Sequence, residues 1–97
     1  MKQEHYIHIT QGKKAGQIIP LETEMIIGRD PSCDLVLHDQ GISRKHAMMI
    51  PSQKAVILED LQSTNGTFVN GSPIERKTIT ESDSIQIGDS VMELTTT

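Results

Sequence analysis

Short apolar runs, each followed by turn-forming residues, are the feature that most restricts the fold of this chain. Alternating apolar and polar residues in HYIHIT, SIQIG and VMEL indicate half-buried strands. Five further apolar-rich runs are QIIPL, EMIIG, DLVLH, HAMMI and AVILED. The runs are separated by turn-forming segments such as QGKKAG, DPSC and PSQK. No segment has the periodicity of a long amphipathic helix, so the pattern predicts an all-β sandwich or barrel whose loops are free to carry function.

The length of the chain and its single cysteine limit how it can be stabilised and where it works. At 97 residues the chain is expected to form one domain, residues 1–97, large enough to bury a core without a metal or a disulfide. Cys33 has no second cysteine with which to pair. The segment MKQEHYIHIT lacks the apolar run of a signal peptide, and no stretch approaches the ~18 apolar residues of a membrane span. We therefore expect a cytoplasmic protein without a cofactor and without membrane contact.

The charge balance argues against nucleic acid as a partner. The formal net charge is −4 at pH 7, whereas nucleic acid phosphates require a broad basic face. Tyr6 and Phe68 are the only aromatic residues, too few for the stacking platforms that bind single strands. Any basic site in this chain is therefore expected to be local.

Two Asn-Gly pairs lie only five positions apart in the segment STNGTFVNG. An Asn-Gly pair between apolar residues is a strong signal for a tight β-hairpin turn. The intervening residues, 67–69, span roughly 10 Å at ~3.3 Å per residue, which is too short for a strand bounded by two tight turns. One pair is therefore expected to form a hairpin turn and the other to serve a different purpose.

Three of the predicted loops carry side chains suited to binding an anion. They are GRDPSCD at 28–34, GISRKHA at 41–47 and QSTNGT at 62–67. A doubly charged phosphate has more acceptor sites than one residue can fill, so an arginine together with hydroxyl and amide donors suits it. The candidate donors are Arg29, Ser43, Arg44, Lys45, Thr64 and Asn65.

The order and spacing of these segments resemble those of the forkhead-associated (FHA) domain family. The matching motifs are GR at 28–29, SRKH at 43–46, NGT at 65–67 and NG at 70–71, and the resemblance covers nearly the whole chain. It implies an antiparallel β-sandwich of two sheets and about eleven strands, with binding loops at one end. It also implies a module of signalling or regulation whose partner is a phosphothreonine-containing protein or peptide.

The resemblance also implies roles for individual residues. Arg29, Ser43 and Thr64 would contact the phosphate of the bound phosphothreonine. Arg44 would assist them, and Asn65 would hold the main chain of the peptide. The residues that would support the binding loops are Gly28, His46, Gly66 and Asn70.

The two Asn-Gly pairs thus have different expected roles. Asn70 and Gly71 would form the hairpin turn. The amide of Asn65 offers a donor and an acceptor together, as pairing with a peptide N–H and C=O requires. Gly66 would let the chain turn sharply behind Asn65.

Lys45 is left out of the site, because strand alternation from the preceding arginine would point it elsewhere.

A module that binds a partner without phosphate, through a sheet face or an exposed edge, is the competing function. Members of the family without phosphate recognition tend to lose the arginine. This chain has Arg29 at that position, which favours the phosphate-dependent function.

Two further site types are disfavoured by the residues themselves. Ser43 and His46 could form a hydrolytic pair, but residues three apart on a strand point to opposite faces, and no GxSxG motif is present. The sequence therefore does not predict an enzyme. A zinc site is disfavoured because Cys33 and the four histidines show no repeated ligand spacing, so no metal is expected.

Overall fold

Eleven β-strands make up the regular structure of residues 3–97, the part of the chain that the computed structural model describes. In chain order they are β1 His5–Gln11, β2 Ile18–Pro20, β3 Met25–Gly28, β4 Leu35–Val36, β5 Ala47–Pro51, β6 Val56–Asp60, β7 Thr67–Val69, β8 Ser72–Ile74, β9 Arg76–Ile79, β10 Ile85–Ile87 and β11 Ser90–Thr96. The described residues include no helix long and apolar enough to cross a membrane. The all-β prediction is confirmed.

The strands form two sheets whose inner faces share one core. The first sheet has six strands in the order β2-β1-β11-β10-β7-β8, and the second has five in the order β4-β3-β5-β6-β9. All neighbouring strands pair antiparallel except β3 and β4, which are parallel. This arrangement confirms the predicted two-sheet sandwich.

Aliphatic and methionine side chains fill the space between the sheets. Ile7 and Ile87 of the first sheet and Ile27 and Leu58 of the second are completely buried, as strand alternation requires of inward positions. Tyr6 and Phe68 are only half-buried, at positions that alternate with the core residues of β1 and β7. The core is therefore built without aromatic residues.

The eight apolar runs of the sequence correspond to β1 to β6, β10 and β11, whereas β7, β8 and β9 were not predicted. The segment 67–69 is a strand despite its length, because β10 and β8 pair with it on its two sides. Only one of its ends is a tight hairpin turn, so the expectation that only one of the two Asn-Gly pairs forms such a turn is confirmed. β8 carries Pro73 and β9 begins with Arg76 and Lys77, so neither has an apolar alternation.

Asn70 and Gly71 form the two-residue turn between β7 and β8, as the sequence predicts. Both have positive φ, 52° and 84°, the combination that a type I′ hairpin turn requires. The Asn70 side chain also accepts from the Ser84 N–H at 2.9 Å and donates to Asp83 at 2.8 Å. These bonds attach the hairpin to the β9–β10 connection, so any support that Asn70 gives the binding loops is indirect.

Candidate functional site

Three loops meet at one end of the sandwich, at the point where β3, β4 and β6 end. They are the β3–β4 loop (29–34), the β4–β5 loop (37–46) and the β6–β7 loop (61–66). The Arg29 N–H donates to the Ser43 carbonyl at 3.0 Å, which joins the first loop to the second. The Thr64 N–H donates to Ser43 Oγ at 3.0 Å, which joins the third loop to the second. The structure thus brings together the three segments in which the sequence placed its candidate residues.

Arg29 presents its guanidinium to solvent from a fixed base. Its Nε donates to the Ile42 carbonyl at 3.2 Å, which leaves the two terminal nitrogens free for a ligand. Within residues 3–97 the only ion pair within 4.0 Å joins Arg76 to Glu59, so no carboxylate neutralises Arg29. An oriented arginine fork without a partner is well suited to an oxyanion.

Gly28 permits the close approach of β3 to the β4–β5 loop. A Cβ at this position would collide with the carbonyl oxygen of Arg44. That same oxygen accepts hydrogen bonds from the Asp30 N–H at 3.1 Å and from Cys33 Sγ at 3.1 Å. The absence of a side chain at Gly28 therefore lets the two loops pack together beneath Arg29.

Arg44 and Lys45 are exposed and lie in a bend, so strand alternation was the wrong reason for excluding Lys45 from the site. The pKa of Asp30 is lowered by hydrogen bonds from Ser32 and by the positive charges of Lys45 and Arg44. Asp30 therefore lies within the electrostatic reach of both cations and partly offsets their charge.

Ser43 and Thr64 lie side by side. Ser43 is half-buried and its oxygen accepts from the Thr64 N–H, so the hydroxyl hydrogen remains available to a ligand. Thr64 is exposed, and its hydroxyl has no hydrogen-bond partner among the described residues. The two hydroxyls are therefore donors next to the arginine that the β3–β4 loop supplies.

His46 is completely buried and joins the β4–β5 loop to the β6–β7 loop. Its Nδ1 accepts from the Ser43 N–H at 3.1 Å, so the proton lies on Nε2, which is 2.8 Å from the Gly66 carbonyl. The imidazole thus bonds to the backbone of Ser43 and not to its hydroxyl. Strand alternation was the wrong reason to expect the two side chains apart, because β5 begins only at Ala47. Both ring nitrogens are occupied by backbone groups, which leaves none to activate the serine hydroxyl.

Asn65 is exposed on the β6–β7 loop, with part of its amide already engaged. Its Nδ2 donates to the Gly41 carbonyl at 2.8 Å, which leaves Oδ1 and one N–H for a ligand. Gly41 has a φ of +86°, and a Cβ there would lie 3.0 Å from Nδ2. Gly66 has a φ of +94°, the left-handed conformation that the predicted sharp turn requires.

The sequence analysis did not identify Asp60, whose carboxylate organises the β6–β7 loop. It accepts from the Ser63 N–H at 3.1 Å, the Ser63 hydroxyl at 2.5 Å and the Thr67 hydroxyl at 2.7 Å. Ser63 Oγ in turn accepts from the Gly66 N–H at 3.0 Å. The signal in the sequence was an aspartate three residues before a serine at the end of a strand, a pattern typical of side-chain-stabilised turns.

We expect Asp60→Asn to destabilise the folded protein by about 1.5–3 kcal/mol at pH 7, since it removes a charged acceptor of three hydrogen bonds. Burial raises the pKa of Asp60, but the hydrogen bonds from Ser63 and Thr67 outweigh burial and lower it below its usual 3.8. A pKa that is lower in the folded state stabilises the fold above the unfolded value, and this contribution is lost as the pH falls through the folded pKa. The difference between wild type and variant should therefore shrink below about pH 4.

Urea denaturation at several pH values measures this difference in free energy of unfolding. Asp89→Asn is the matched control, because Asp89 is exposed and its carboxylate has no hydrogen-bond partner within residues 3–97. A loss for Asp60→Asn that equals the control at pH 7, or that stays constant down to pH 3, would contradict the assigned role.

Asp39 and Ser90 were also missed, because their partnership joins residues that are distant in the sequence. Both are buried, and the Ser90 hydroxyl donates to the Asp39 carboxylate. Nearby, a Cβ on Gly88 would lie 2.7 Å from the side chain of Ile42. These contacts anchor the β4–β5 loop to the turn before β11.

No group of three His, Cys, Asp or Glu side chains is arranged to hold a metal ion within the described range. His5, one of the histidines weighed as a ligand, lies 2.9 Å from the Thr96 hydroxyl and 2.8 Å from the Ser52 carbonyl. Burial raises the pKa of the Cys33 thiol, which disfavours the thiolate that binds zinc.

Comparisons with known proteins place this fold and these loops in one family. The family model of the FHA domain matches residues 25–88. The FHA domain-containing protein FhaA of Mycobacterium tuberculosis is 38% identical over 69 residues, which are 71% of this chain and 13% of FhaA. The glycogen accumulation regulator GarA of the same species is 32% identical over 81 residues, which are 82% of this chain and 50% of GarA. The chain thus spans half or less of the length of these two relatives.

A solved structure shows the same likeness in three dimensions. The crystal structure of the FhaA FHA domain complexed with the intracellular domain of Rv3910 has a TM-score of 0.84 and 30% identity, and covers 94% of this chain and 99% of that one. The family match extends from β3 to the end of β10 and includes the β3–β4, β4–β5 and β6–β7 loops. This chain therefore belongs to the FHA domain family.

Proposed function

We propose that this chain is a phosphothreonine-dependent binding module for a partner protein or peptide. The observation that carries the proposal is the geometry of Arg29, which is exposed, held through Nε and free of any carboxylate partner among the described residues. A buried or paired arginine would have indicated a structural role instead. Membership of the FHA family and the likeness to an FHA domain solved with a protein partner support the same function.

The phosphate would lie between the β3–β4 and β4–β5 loops. The terminal nitrogens of Arg29 would donate two parallel hydrogen bonds, and the hydroxyl of Ser43 would donate a third. Thr64 would donate from the neighbouring loop, and the exposed Arg44 would add positive charge. A dianion has enough acceptor sites for all of these donors.

The peptide main chain would be held by Asn65. Its free Oδ1 and its remaining N–H match the donor and acceptor that one residue of an extended peptide presents. Because Gly41 already fixes the amide, little side-chain freedom would be lost on binding. Phosphate recognition and peptide recognition would thus depend on different side chains.

The experiment that tests the function is titration with matched peptides. The ligand is a degenerate peptide library with a fixed central phosphothreonine, and the reference is the same library with threonine. We expect the phosphorylated library to bind at least about 100-fold more tightly, a difference of about 2.7 kcal/mol. Equal affinity for the two libraries would contradict the proposal and favour a module that binds without phosphate.

The two recognition tasks can be separated by variants. We expect Asn65→Ala to weaken binding of a phosphothreonine peptide about tenfold or more and to leave the affinity for inorganic phosphate nearly unchanged. Ser43→Ala should weaken both ligands, because its hydroxyl is assigned to the phosphate. Calorimetry with the two ligands measures these effects, and an equal loss of both ligands in Asn65→Ala would contradict its assignment.

We also propose that residues 1–97 form one module that works in the cytoplasm and has no catalytic activity of its own. The engagement of both His46 nitrogens supports a binding role, since the imidazole has no free atom to serve as a base. Incubation of the protein with a phosphothreonine peptide should therefore leave the phosphate intact, and mass spectrometry of the recovered peptide would reveal any hydrolysis.

A further inference from the structure

The turn between β10 and β11, residues 88–89, packs against the loop that holds Arg29. A Cβ built on Gly88 would lie 2.7 Å from Cγ1 and 3.0 Å from Cδ1 of Ile42, and 3.5 Å from Cβ of Asp39. Carbon atoms that are not bonded to each other prefer a separation of about 3.5–4.0 Å. The packing of this turn on the β4–β5 loop therefore requires that position 88 carry no side chain.

Ile42 connects this turn to Arg29. Its side chain is buried, and its carbonyl oxygen accepts the hydrogen bond from Arg29 Nε at 3.2 Å. Among residues 3–97, this oxygen is the only hydrogen-bond partner of the guanidinium. The adjacent carbonyl, that of Ser43, accepts from the Arg29 N–H at 3.0 Å. A displacement of Ile42 would therefore move the group that orients the guanidinium.

A buried polar pair joins the same turn to the same loop. Asp39 is 3% exposed and Ser90 is completely buried, and the Ser90 hydroxyl donates to the Asp39 carboxylate. A hydrogen bond to a charged acceptor is stronger than one between neutral groups, and more so away from water. Asp39 precedes Ile42 by three residues, and Ser90 follows Gly88 by two. The pair therefore holds the turn and the loop together next to the contact between Gly88 and Ile42.

We propose that Gly88 and the Asp39–Ser90 pair are positioning residues for the phosphate site. They act on Arg29 through Ile42, and none of them needs to touch the ligand. An unrestrained arginine loses much rotamer freedom when it binds, whereas one held through Nε loses less. Two parallel hydrogen bonds to a phosphate also require the guanidinium plane in one orientation. This inference rests on the proposed function for its effect on binding, but the orientation of Arg29 can be measured without a ligand.

Gly88→Ala tests the contact with Ile42. A methyl group at position 88 must displace the Ile42 side chain, so we expect the affinities for a phosphothreonine peptide and for inorganic phosphate both to fall at least about tenfold. Gly71→Ala is the matched control. Gly71 also has a positive φ, 84° against 59° for Gly88, but nothing lies within 4 Å of a Cβ built on it. The control thus introduces backbone strain without the collision, and both affinities should stay within about twofold of wild type.

A double-mutant cycle with Ile42→Ala shows whether the effect passes through Ile42. This truncation removes Cγ1 and Cδ1, the two atoms that the new methyl group would meet. In the Ile42→Ala background, Gly88→Ala should therefore lower the phosphate affinity less than about threefold further. The full tenfold loss in that background would show that Gly88 acts by another route and would overturn the proposal.

Hydrogen exchange at the Arg29 Nε–H, followed by NMR in the protein without ligand, reports on the orientation of the side chain. A hydrogen-bonded N–H exchanges with water only when the bond opens, so we expect Gly88→Ala to raise the exchange rate at least about tenfold and Gly71→Ala to leave it unchanged. A raised rate in a protein that binds no phosphothreonine peptide would support the positioning of Arg29 and contradict the proposed function. An unchanged rate in Gly88→Ala, or an equal rise in Gly71→Ala, would overturn the proposal.

Ser90→Ala is a second variant that adds no atom to the crowded turn. It leaves the Asp39 carboxylate without the hydroxyl that donates to it, so the β4–β5 loop is held less firmly. We expect the phosphate affinity to fall about threefold or more and the exchange at the Arg29 Nε–H to become faster. Should Gly88→Ala fail to fold, these two measurements on Ser90→Ala decide the proposal, and wild-type values for both would overturn it.

Discussion

Arg29→Ala is expected to abolish measurable phosphopeptide binding, with a loss of at least about 100-fold, or 2.7 kcal/mol. Hydrogen bonds to a charged group contribute about 1.5–3 kcal/mol each, and the two free terminal nitrogens of Arg29 can supply two of them to one phosphate. The variant should keep its fold. The exposed guanidinium makes one hydrogen bond, from Nε to the Ile42 carbonyl, and no ion pair within residues 3–97.

Lys45→Ala is the matched control for this variant. Lys45 is also an exposed cation at the same end of the molecule, so its loss changes the net charge by the same amount. Because Lys45 is not assigned to the phosphate and Asp30 partly offsets its charge, we expect less than about a threefold loss of affinity. Calorimetry measures the affinities, and thermal denaturation checks the fold. Similar losses for the two variants would mean that general positive charge, and not the arginine fork, binds the phosphate.

The sequence identified the three loops that meet at one end of the sandwich, whereas it did not predict the strands β7, β8 and β9. Arg29, Ser43 and Asn65 lie on three loops that are widely separated in the sequence, and motif order alone grouped them. The structure adds the hydrogen bonds that join these loops. That all three contact a bound phosphopeptide remains a prediction, and the titrations above test it.

The strands β7, β8 and β9 escaped prediction because their stability comes from pairing. Phe68 is opposite Gln86 on one side and Pro73 on the other, so neighbouring strands hold a three-residue segment that could not form a strand alone. β9 has only one buried residue, Ile79, and its remaining side chains are exposed. The local alternation of apolar and polar residues therefore did not predict these strands.

The supporting residues escaped prediction for a different reason. Asp39 and Ser90 are 51 positions apart, and only the packed sandwich brings them together. Asp60 is close in sequence to its partners, but an aspartate at the end of a strand is compatible with an ordinary exposed turn. Its importance follows from the number of hydrogen bonds that converge on one carboxylate, which a sequence does not reveal.

His46→Ala is expected to have the largest effect on stability, a loss of about 3–5 kcal/mol in the free energy of unfolding. The substitution leaves a cavity where the fully buried imidazole was, and it leaves the Ser43 N–H and the Gly66 carbonyl without their hydrogen-bond partner in a partly buried location. Each unsatisfied buried group costs about 1–3 kcal/mol, and the cavity adds to this. Since a small domain has a total stability of only about 5–15 kcal/mol, the melting temperature should fall by about 15 °C or more.

The same variant should also weaken phosphopeptide binding, because the imidazole is the only side chain that bonds directly to both Ser43 and Gly66 among the described residues. We expect about a tenfold loss at 10 °C, where enough folded protein remains for titration. His38→Ala is the matched control, since His38 is exposed on the same β4–β5 loop and its loss should change stability by no more than about 0.5 kcal/mol. If His46→Ala lost stability but bound the peptide with wild-type affinity, the imidazole would stabilise the core without positioning the loops.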